Sequence, residues 1–290
     1  MTYDEMIERL SNLNVEQELT LEEVPHCSNL LYQLRKKRPI QERLFNDIVN
    51  LYIATRTIPF TPDNISSYIY IITHAVNEYM NFYWPPSRNP FPAQADYTSS
   101  IIPEMLCLIF HNISKELNEE IRICAQKDLA IECLFDISGG GSIRLKNKRV
   151  DVAVFKSTSL KFQDTSVDFP VPLLAIECKT NLDKNMLSGI EQSVSDLKKT
   201  FPDCYYFVVT EVSDFDVNLN YASSGIDEIY VLREQKRGTI RRTPESRNPL
   251  DANLICEIVE KLKSNIDLLN SNTADLQTRM TTGKLIGNVV

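Results

Sequence analysis

The spacing of apolar residues divides the chain into a helical first part and a mixed second part. Over residues 30–83, apolar side chains recur at steps of three and four, as at Leu44 and Ile48, which is the spacing of helices in a bundle. Prolines interrupt this pattern at 59 and 62, and the proline-rich segment 84–92 ends it. We therefore predict a mainly helical N-terminal region, residues 1–92, and a second domain, residues 93–290.

The second part combines strand and helix patterns. A helix pattern over 99–116 precedes short apolar runs typical of buried strands, and Gly139–Gly141 predicts a hairpin turn between two of them. An amphipathic helix pattern over 186–200 separates these runs from later ones. This order of elements is typical of an α/β sandwich. The predicted strands are 121–125, 130–136, 142–146, 149–156, 172–178, 205–210 and 229–232, and a last helix is predicted over 252–269.

Composition excludes several classes of protein. The chain has 290 residues, 43% hydrophobic and 24% charged, as is usual for a globular protein. It lacks the run of about 18 apolar residues that a membrane span requires, and its acidic N-terminus does not resemble a secretory signal. Seven cysteines without a Cys-x-x-Cys pair argue against a disulfide framework or a zinc ribbon. We expect a protein of the reducing cytoplasm.

Basic residues are concentrated in two segments although the formal net charge is −8. Segments 144–149 and 233–247 are strongly basic, whereas acidic residues dominate the first 25 positions. Phosphate binding depends on such local patches rather than on the total charge. The two segments are either solvated loops or, as their positions beside predicted strands favour, contacts with phosphate groups. The candidate contacts are Lys146, Lys148, Arg149, Arg233, Lys236, Arg237, Arg241 and Arg242.

Charged residues also occur within two apolar strand runs. Glu177 and Lys179 end the run that begins at Leu173, and they share one strand face because side chains alternate, while Cys178 points the other way. Asp151 lies in the preceding run. If the two strands pair, Asp151 and Glu177 converge on one divalent cation with Lys179 beside them. Two carboxylates that leave room for water suit Mg²⁺, as in a metal-dependent phosphodiesterase.

The Glu-x-Lys spacing is weak evidence when it is taken alone. A second copy occurs at Glu234 and Lys236, also after an apolar run. The competing interpretation of Glu177 and Lys179 is a solvated strand end that carries an ion pair.

Sequence blocks around the motif resemble a known family. Together they are similar to the PD-(D/E)xK restriction endonucleases, and within these to the group that contains BbvCI and Bpu10I, in particular to the α subunit of the latter. The resemblance covers the chain from about Asn29 onward. The blocks are 94–104, Ile176 to Lys179 followed by Asp183 to Met186, and 226–237.

The resemblance implies a fold and a reaction. The fold is an αβββαβ core, a mixed sheet flanked by helices, and the helical N-terminal region serves DNA recognition, subunit contact or both. The reaction is Mg²⁺-dependent hydrolysis of double-stranded DNA at a specific site that leaves 5′-phosphate ends. The target implied is built around CTNAG and extended asymmetrically, as in CCTNAGC. We expect the protein in the bacterial cytoplasm.

The resemblance also implies roles for individual residues. The backbone carbonyl of Cys178 joins Asp151 and Glu177 as a metal ligand. Lys179 orients the attacking water, lowers its pKa or stabilises charge on the phosphorane. Glu104 is a further catalytic and metal-binding candidate, and its alternative is a first-turn acid that favours the helix dipole. Gln192 and the pair Asp227–Glu228 are weaker candidates.

A chain with one site cuts one strand, so a double-strand break requires two catalytic chains. The resemblance favours an unlike but homologous second subunit, with a homodimer as the alternative. Two other functions compete with a restriction endonuclease subunit. One is a structure-specific repair or recombination nuclease of the same fold. The other is a DNA-recognition subunit whose catalytic activity resides in its partner, although the intact set of Asp151, Glu177 and Lys179 argues against it.

Overall fold

The structure is a computed structural model of the chain. It describes residues 1–38, 41–85, 90–91, 96–116, 121–136, 142–162, 165–214, 224–243, 246–269 and 280–281.

Helices form the N-terminal part, as the apolar spacing predicts. The first begins at a capping box, in which Thr2 and Glu5 each accept a hydrogen bond from the other's backbone N–H. A short 3-10 helix at Pro62–Asn64 follows the predicted proline break. The α-helices that precede the sheet are α1 (Tyr3–Glu16), α2 (Pro25–Leu34), α3 (Glu42–Arg56), α4 (Ile65–Tyr83), α5 (Asp96–Ser99) and α6 (Ile101–Glu116), of which α5 and α6 belong to the predicted second domain.

A mixed five-stranded sheet, in the order β1-β2-β3-β4-β5, lies at the centre of the described residues. The first three strands pair antiparallel, whereas β3, β4 and β5 run parallel. From α6 to β4 the elements follow the predicted αβββαβ order. The elements of this part are β1 (Ile121–Asp136), β2 (Ser142–Phe162), β3 (Thr165–Leu182), α7 (Lys184–Thr200), β4 (Tyr205–Ser213), β5 (Glu228–Val231), α8 (Arg237–Arg242) and α9 (Ala252–Leu269).

Each face of the sheet is covered by helices. One face shares a large apolar cluster with the N-terminal helices and α9, and this cluster includes Leu10, Tyr52 and Ile258 together with Ile176. The other face packs against α7, whose buried residues are Leu187, Ile190, Val194 and Leu197. Because residues before and after position 92 share the first cluster, the division into 1–92 and 93–290 stays a prediction.

Strands in the structure are longer than the apolar runs predict. The runs 121–125 and 130–136 belong to one strand, β1, in which Gln126 has a φ of 52° and the register with β2 shifts between Ala130 and Glu132. The runs 142–146 and 149–156 likewise form one strand, β2. The predicted glycine turn lies outside the described residues, but the pairing of Asp136 with Ser142 places the ends of a hairpin on either side of it. No helix in the described part of the chain is long and apolar enough to cross a membrane.

Candidate active site

Pairing between β2 and β3 brings the predicted acids together. Val152 faces Ile176 in the antiparallel register, which places Asp151 next to Glu177 across the strand pair. The Asp151 carboxylate accepts a hydrogen bond of 2.7 Å from the backbone N–H of Cys178. Asp151 is thereby fixed against the strand that carries the Glu-x-Lys motif.

Lys179 lies between the two carboxylates. Its Nζ atom is 2.7 Å from Glu177 Oε1 and 3.7 Å from Asp151 Oδ2. Partial burial lowers the pKa of Lys179, but the hydrogen bond and charge of Glu177 and the charge of Asp151 outweigh it, so the net pKa is raised. The three side chains therefore form one charged cluster, as the shared strand face predicts.

Glu177 is buried, with 9% of its surface exposed. Its second carboxylate oxygen is 3.5 Å from the hydroxyl of Tyr206 on β4. Burial and the neighbouring Glu177 raise the pKa of the Tyr206 hydroxyl, which stays a proton donor. A buried carboxylate held by a lysine and a tyrosine is more ordered than the solvated strand end of the competing interpretation.

Gln126 is a site residue that the sequence patterns did not identify. Its Nε2 atom donates a hydrogen bond of 2.8 Å to Asp151 Oδ1. The residue lies on β1 at a left-handed φ, which turns the backbone locally out of regular strand geometry. The polar break between the runs 121–125 and 130–136 was the available signal, and its interpretation as a connection between two strands was wrong.

A cleft of about 860 Å³ opens over this cluster. One wall comes from the strands and includes Asp151, Lys179 and Arg149, and the other comes from the helical part and includes Asn29 and Ser99. A second groove of about 330 Å³ shares Thr180 and Asn181 with the cleft and is also lined by Arg237 and Arg241. Together, the cleft and the groove form a path that leads from the charged cluster to the basic helix α8.

Glu104 does not lie in this cluster. It is 1% exposed, and its carboxylate accepts hydrogen bonds from the backbone N–H of Cys27 at 2.9 Å and from the hydroxyl of Tyr52 at 2.5 Å. Arg56 lies 3.8 Å away. Burial raises the pKa of Glu104, and the Arg56 charge opposes this effect. Glu104 is thus held among the helices rather than beside Asp151 and Glu177, and the structure does not support it as a metal ligand.

The basic segment 144–149 lies along β2, next to the cleft. Arg149 lines the cleft and binds Asp128 through two hydrogen bonds of 2.9 and 3.0 Å. Lys146 is exposed and lies 3.5 Å from Glu132, and Lys148 is half-buried. These exposed ion pairs are weak, so the basic side chains can exchange partners with phosphate groups.

The second basic segment divides into buried and exposed residues. Arg233 is 1% exposed and donates to Glu211 and Asn77 at 2.9 Å each, so its prediction as a DNA contact is wrong. Its burial, aided by the charge of Arg247, lowers the pKa of Arg233 to about 10. The remaining candidates lie at the surface in or beside α8: Lys236, Arg237, Arg241 and Arg242.

Two of the weaker candidates, Asp227 and Gln192, make contacts within the fold rather than at the charged cluster. Asp227 binds Lys198 at 2.6 Å and the backbone N–H of Tyr206 at 2.6 Å, which ties α7 to the sheet. Gln192 is exposed and donates to Asp196 at 3.3 Å. Neither contact involves the charged cluster around Asp151.

The donor set fits a cation that takes few protein ligands. In the part of the chain that the structure describes, no three side chains of His, Cys, Asp or Glu lie together as a metal site. Asp151 and Glu177, with the backbone carbonyl of Cys178, offer oxygen donors on adjacent strands. Mg²⁺ binds only a few oxygen donors of a protein, because it retains several of its water ligands. The residues therefore fit Mg²⁺ better than they fit a metal held by a full set of side chains.

Comparison with known proteins assigns the chain to a family. A family model described as Bpu10I restriction endonuclease matches residues 94–279, which is more than half of the chain. The chain belongs to the Bpu10I restriction endonuclease family. It is therefore a type II restriction endonuclease, and the predicted family is confirmed.

A solved structure shares the fold. The structure is described as the native BbvCI A2B2 tetramer at low resolution, and it matches with a TM-score of 0.71 and 24% sequence identity. The match covers 87% of this chain and 99% of the BbvCI chain. The predicted fold class, a mixed sheet flanked by helices with a helical N-terminal region, is thereby confirmed. No curated protein matches the chain.

Proposed function

We propose that this chain is a restriction endonuclease subunit that hydrolyses double-stranded DNA with Mg²⁺ at a specific sequence. The products are 5′-phosphate and 3′-hydroxyl ends, and the proposed target is an asymmetric extension of CTNAG such as CCTNAGC. The observation that carries the proposal is that Lys179 contacts both Asp151 and Glu177 and, together with Asp151, lines an open cleft.

The residues of the cluster have separable roles. Asp151, Glu177 and the carbonyl of Cys178 hold the cation, which when bound activates the attacking water and neutralises the phosphate. Lys179 brings a positive charge to the reacting phosphate, which stabilises the negative charge that develops in the transition state. Gln126 and Tyr206 orient the two carboxylates through the hydrogen bonds that they donate.

The path from the cleft to α8 supports a nucleic-acid substrate. Arg237 and Arg241 line the groove that continues the cleft past Asn181. Arginines bind phosphates and guanine edges equally well, so α8 supplies either backbone or base contacts. Arg149 lines the cleft itself, where it contacts the same duplex.

Plasmid cleavage tests the proposal, with Glu177→Gln as the variant. Turnover should fall at least about a hundredfold, because the variant removes a metal-binding charge, while the melting temperature stays close to that of the wild type. Glu234→Gln is the matched control, since it changes the exposed acid of the second Glu-x-Lys copy. Cleavage should need Mg²⁺, and Ca²⁺ should support binding without cleavage. Cleavage in EDTA, or equal activity of the two variants, contradicts the proposal.

We further propose that the chain acts with an unlike second subunit of the same family. The similar structure is described as an A2B2 tetramer, and an asymmetric target offers no two-fold axis for a homodimer to match. Glu177→Gln in the assembled enzyme should then nick one defined strand. Double-strand cleavage at a symmetric site by the purified single chain would support a homodimer instead.

A further inference from the structure

The side-chain amide of Asn181 lies where the cleft meets the groove beside α8. The residue lies near the end of β3, paired with Val212 of β4, and it lines both the cleft and the groove beside α8. It is 8% exposed, yet neither Nδ2 nor Oδ1 has a hydrogen-bond partner among the residues that the structure describes. Buried amides in folded proteins are nearly always paired, and an unpaired one destabilises the fold. This amide therefore needs an explanation other than stability.

The location of Asn181 suggests what the amide binds. It follows Lys179 by two residues, so the two Cα atoms are about 6.6 Å apart along the strand. Thr180 and Asn181 line both the cleft and the groove beside α8. A DNA strand that passes from the charged cluster toward Arg237 and Arg241 must therefore cross them. The amide offers both a donor and an acceptor, as base edges and phosphate–water networks require.

We propose that Asn181 is a DNA contact that hydrogen-bonds the nucleotide next to the cleaved phosphate, on the α8 side. This inference rests on the proposed function, since it requires DNA in the cleft. Neither amide atom is open to solvent, so the side chain turns into the groove when DNA arrives. The turn is favoured because the amide gives up no hydrogen bond within the protein when it moves.

Substitution by an apolar residue of similar size separates this role from a structural one. Asn181→Leu removes both unpaired polar atoms, so the melting temperature should stay the same or rise. DNA affinity in Ca²⁺ should fall by about tenfold or more, the range for a lost polar contact to a nucleotide. Asn181→Ala serves as the second variant where the larger leucine does not fit. A structural role predicts the opposite pattern, with a lower melting temperature and unchanged DNA affinity.

The full chain is assayed with any subunit that copurifies with it. The probes are a duplex carrying the mapped cleavage site and duplexes with single base-pair changes. A base contact gives a loss confined to one position, whereas a phosphate contact weakens binding to every duplex. Asn181→Asp should weaken binding in both cases, because a carboxylate cannot donate. Each of these losses supports the proposal.

Wild-type protein distinguishes failure of the inference from failure of the proposed function. If wild type binds and cleaves while all three Asn181 variants stay within about twofold in affinity and rate, Asn181 is not a DNA contact. If wild type neither binds nor cleaves DNA with Mg²⁺ in any assembly, the proposed function fails and this inference fails with it.

Discussion

Glu211 holds two buried arginines, and its replacement tests how the basic segment is attached to the fold. The Glu211 carboxylate on β4 contacts Arg233 Nε at 2.9 Å and also binds Arg247. All three side chains are at most 4% exposed. The Arg247 guanidinium also stacks on Trp84, 3.8 Å from the ring centroid. One carboxylate is therefore the counter-ion of two positive charges in an interior where water does not screen them.

Glu211→Gln should lower stability strongly. Removal of one partner from a buried ion pair costs about 3–5 kcal/mol, because the remaining charge is left uncompensated. Here two arginines lose their shared counter-ion, and the lowered pKa of Arg233, about 10, indicates that burial already opposes its charge. The unfolding entropy of a 290-residue chain is about 0.6 kcal/mol per kelvin. A loss of 3–5 kcal/mol thus corresponds to a fall of about 5–8 °C in melting temperature.

Thermal and urea unfolding measure this loss. Glu132→Gln is the matched control, because it removes a carboxylate paired with Lys146 at the surface, where both side chains are at least 52% exposed. The control should change stability by less than about 0.5 kcal/mol. Adding Arg233→Met to Glu211→Gln should restore part of the loss, since it removes one unpaired charge. A melting temperature within 1 °C of wild type for Glu211→Gln, roughly 0.6 kcal/mol, would refute the electrostatic account.

Three further predictions address the site and the helical part. Gln126→Asn keeps a residue that tolerates positive φ but does not reach Asp151, so cleavage should fall about tenfold at an unchanged melting temperature. Glu104→Gln, assayed at a temperature at which the variant stays folded, should keep cleavage and its Mg²⁺ dependence within about threefold of wild type, in contrast to Glu177→Gln. Equal losses in the folded variants would restore Glu104 as a ligand. Burial lowers the pKa of His26 from 6.5 to about 3. The unfolded state therefore binds the proton first, so the free energy of unfolding of the wild type should fall by about 1.4 kcal/mol per pH unit as the pH drops from 6.5 to about 3. Denaturation curves of His26→Asn should show a shallower acid limb than wild type, and equal slopes would contradict this.

The sequence predicts the strand that carries Glu177 and Lys179 well because its signal is local. An apolar run that ends in Glu177 and Lys179 specifies both a buried strand and the face that carries the charges. The sequence leaves open whether this strand pairs with the strand of Asp151, and the register of β2 and β3 shows that it does. Alternation of side chains along a strand does not depend on the rest of the fold, so this part of the prediction needed no tertiary information.

Roles that depend on tertiary packing could not be predicted in this way. Glu104 and Arg233 lie in sequence contexts that also suit a ligand and a DNA contact, and only the packing of distant helices buries them. Glu104 meets Cys27 and Tyr52, and Arg233 meets Asn77 of α4, which lies 156 positions away in the chain. A charge that is buried and paired looks the same in sequence as a charge that is exposed and free.

The cleft itself arises from contact between the two predicted parts of the chain. Its strand wall carries Asp151 and Lys179, while residues of α2 and α5, including Asn29 and Ser99, form the facing wall. The same helices contribute to the apolar cluster that covers one face of the sheet. Residues 93–290 alone would therefore expose that face and lose the α2 residues of the facing wall. The helical region is thus needed to bury the sheet and to shape the groove in which we propose that DNA lies. These two requirements explain why the described residues of the helical region and of the strands that carry Asp151 and Glu177 share one apolar cluster.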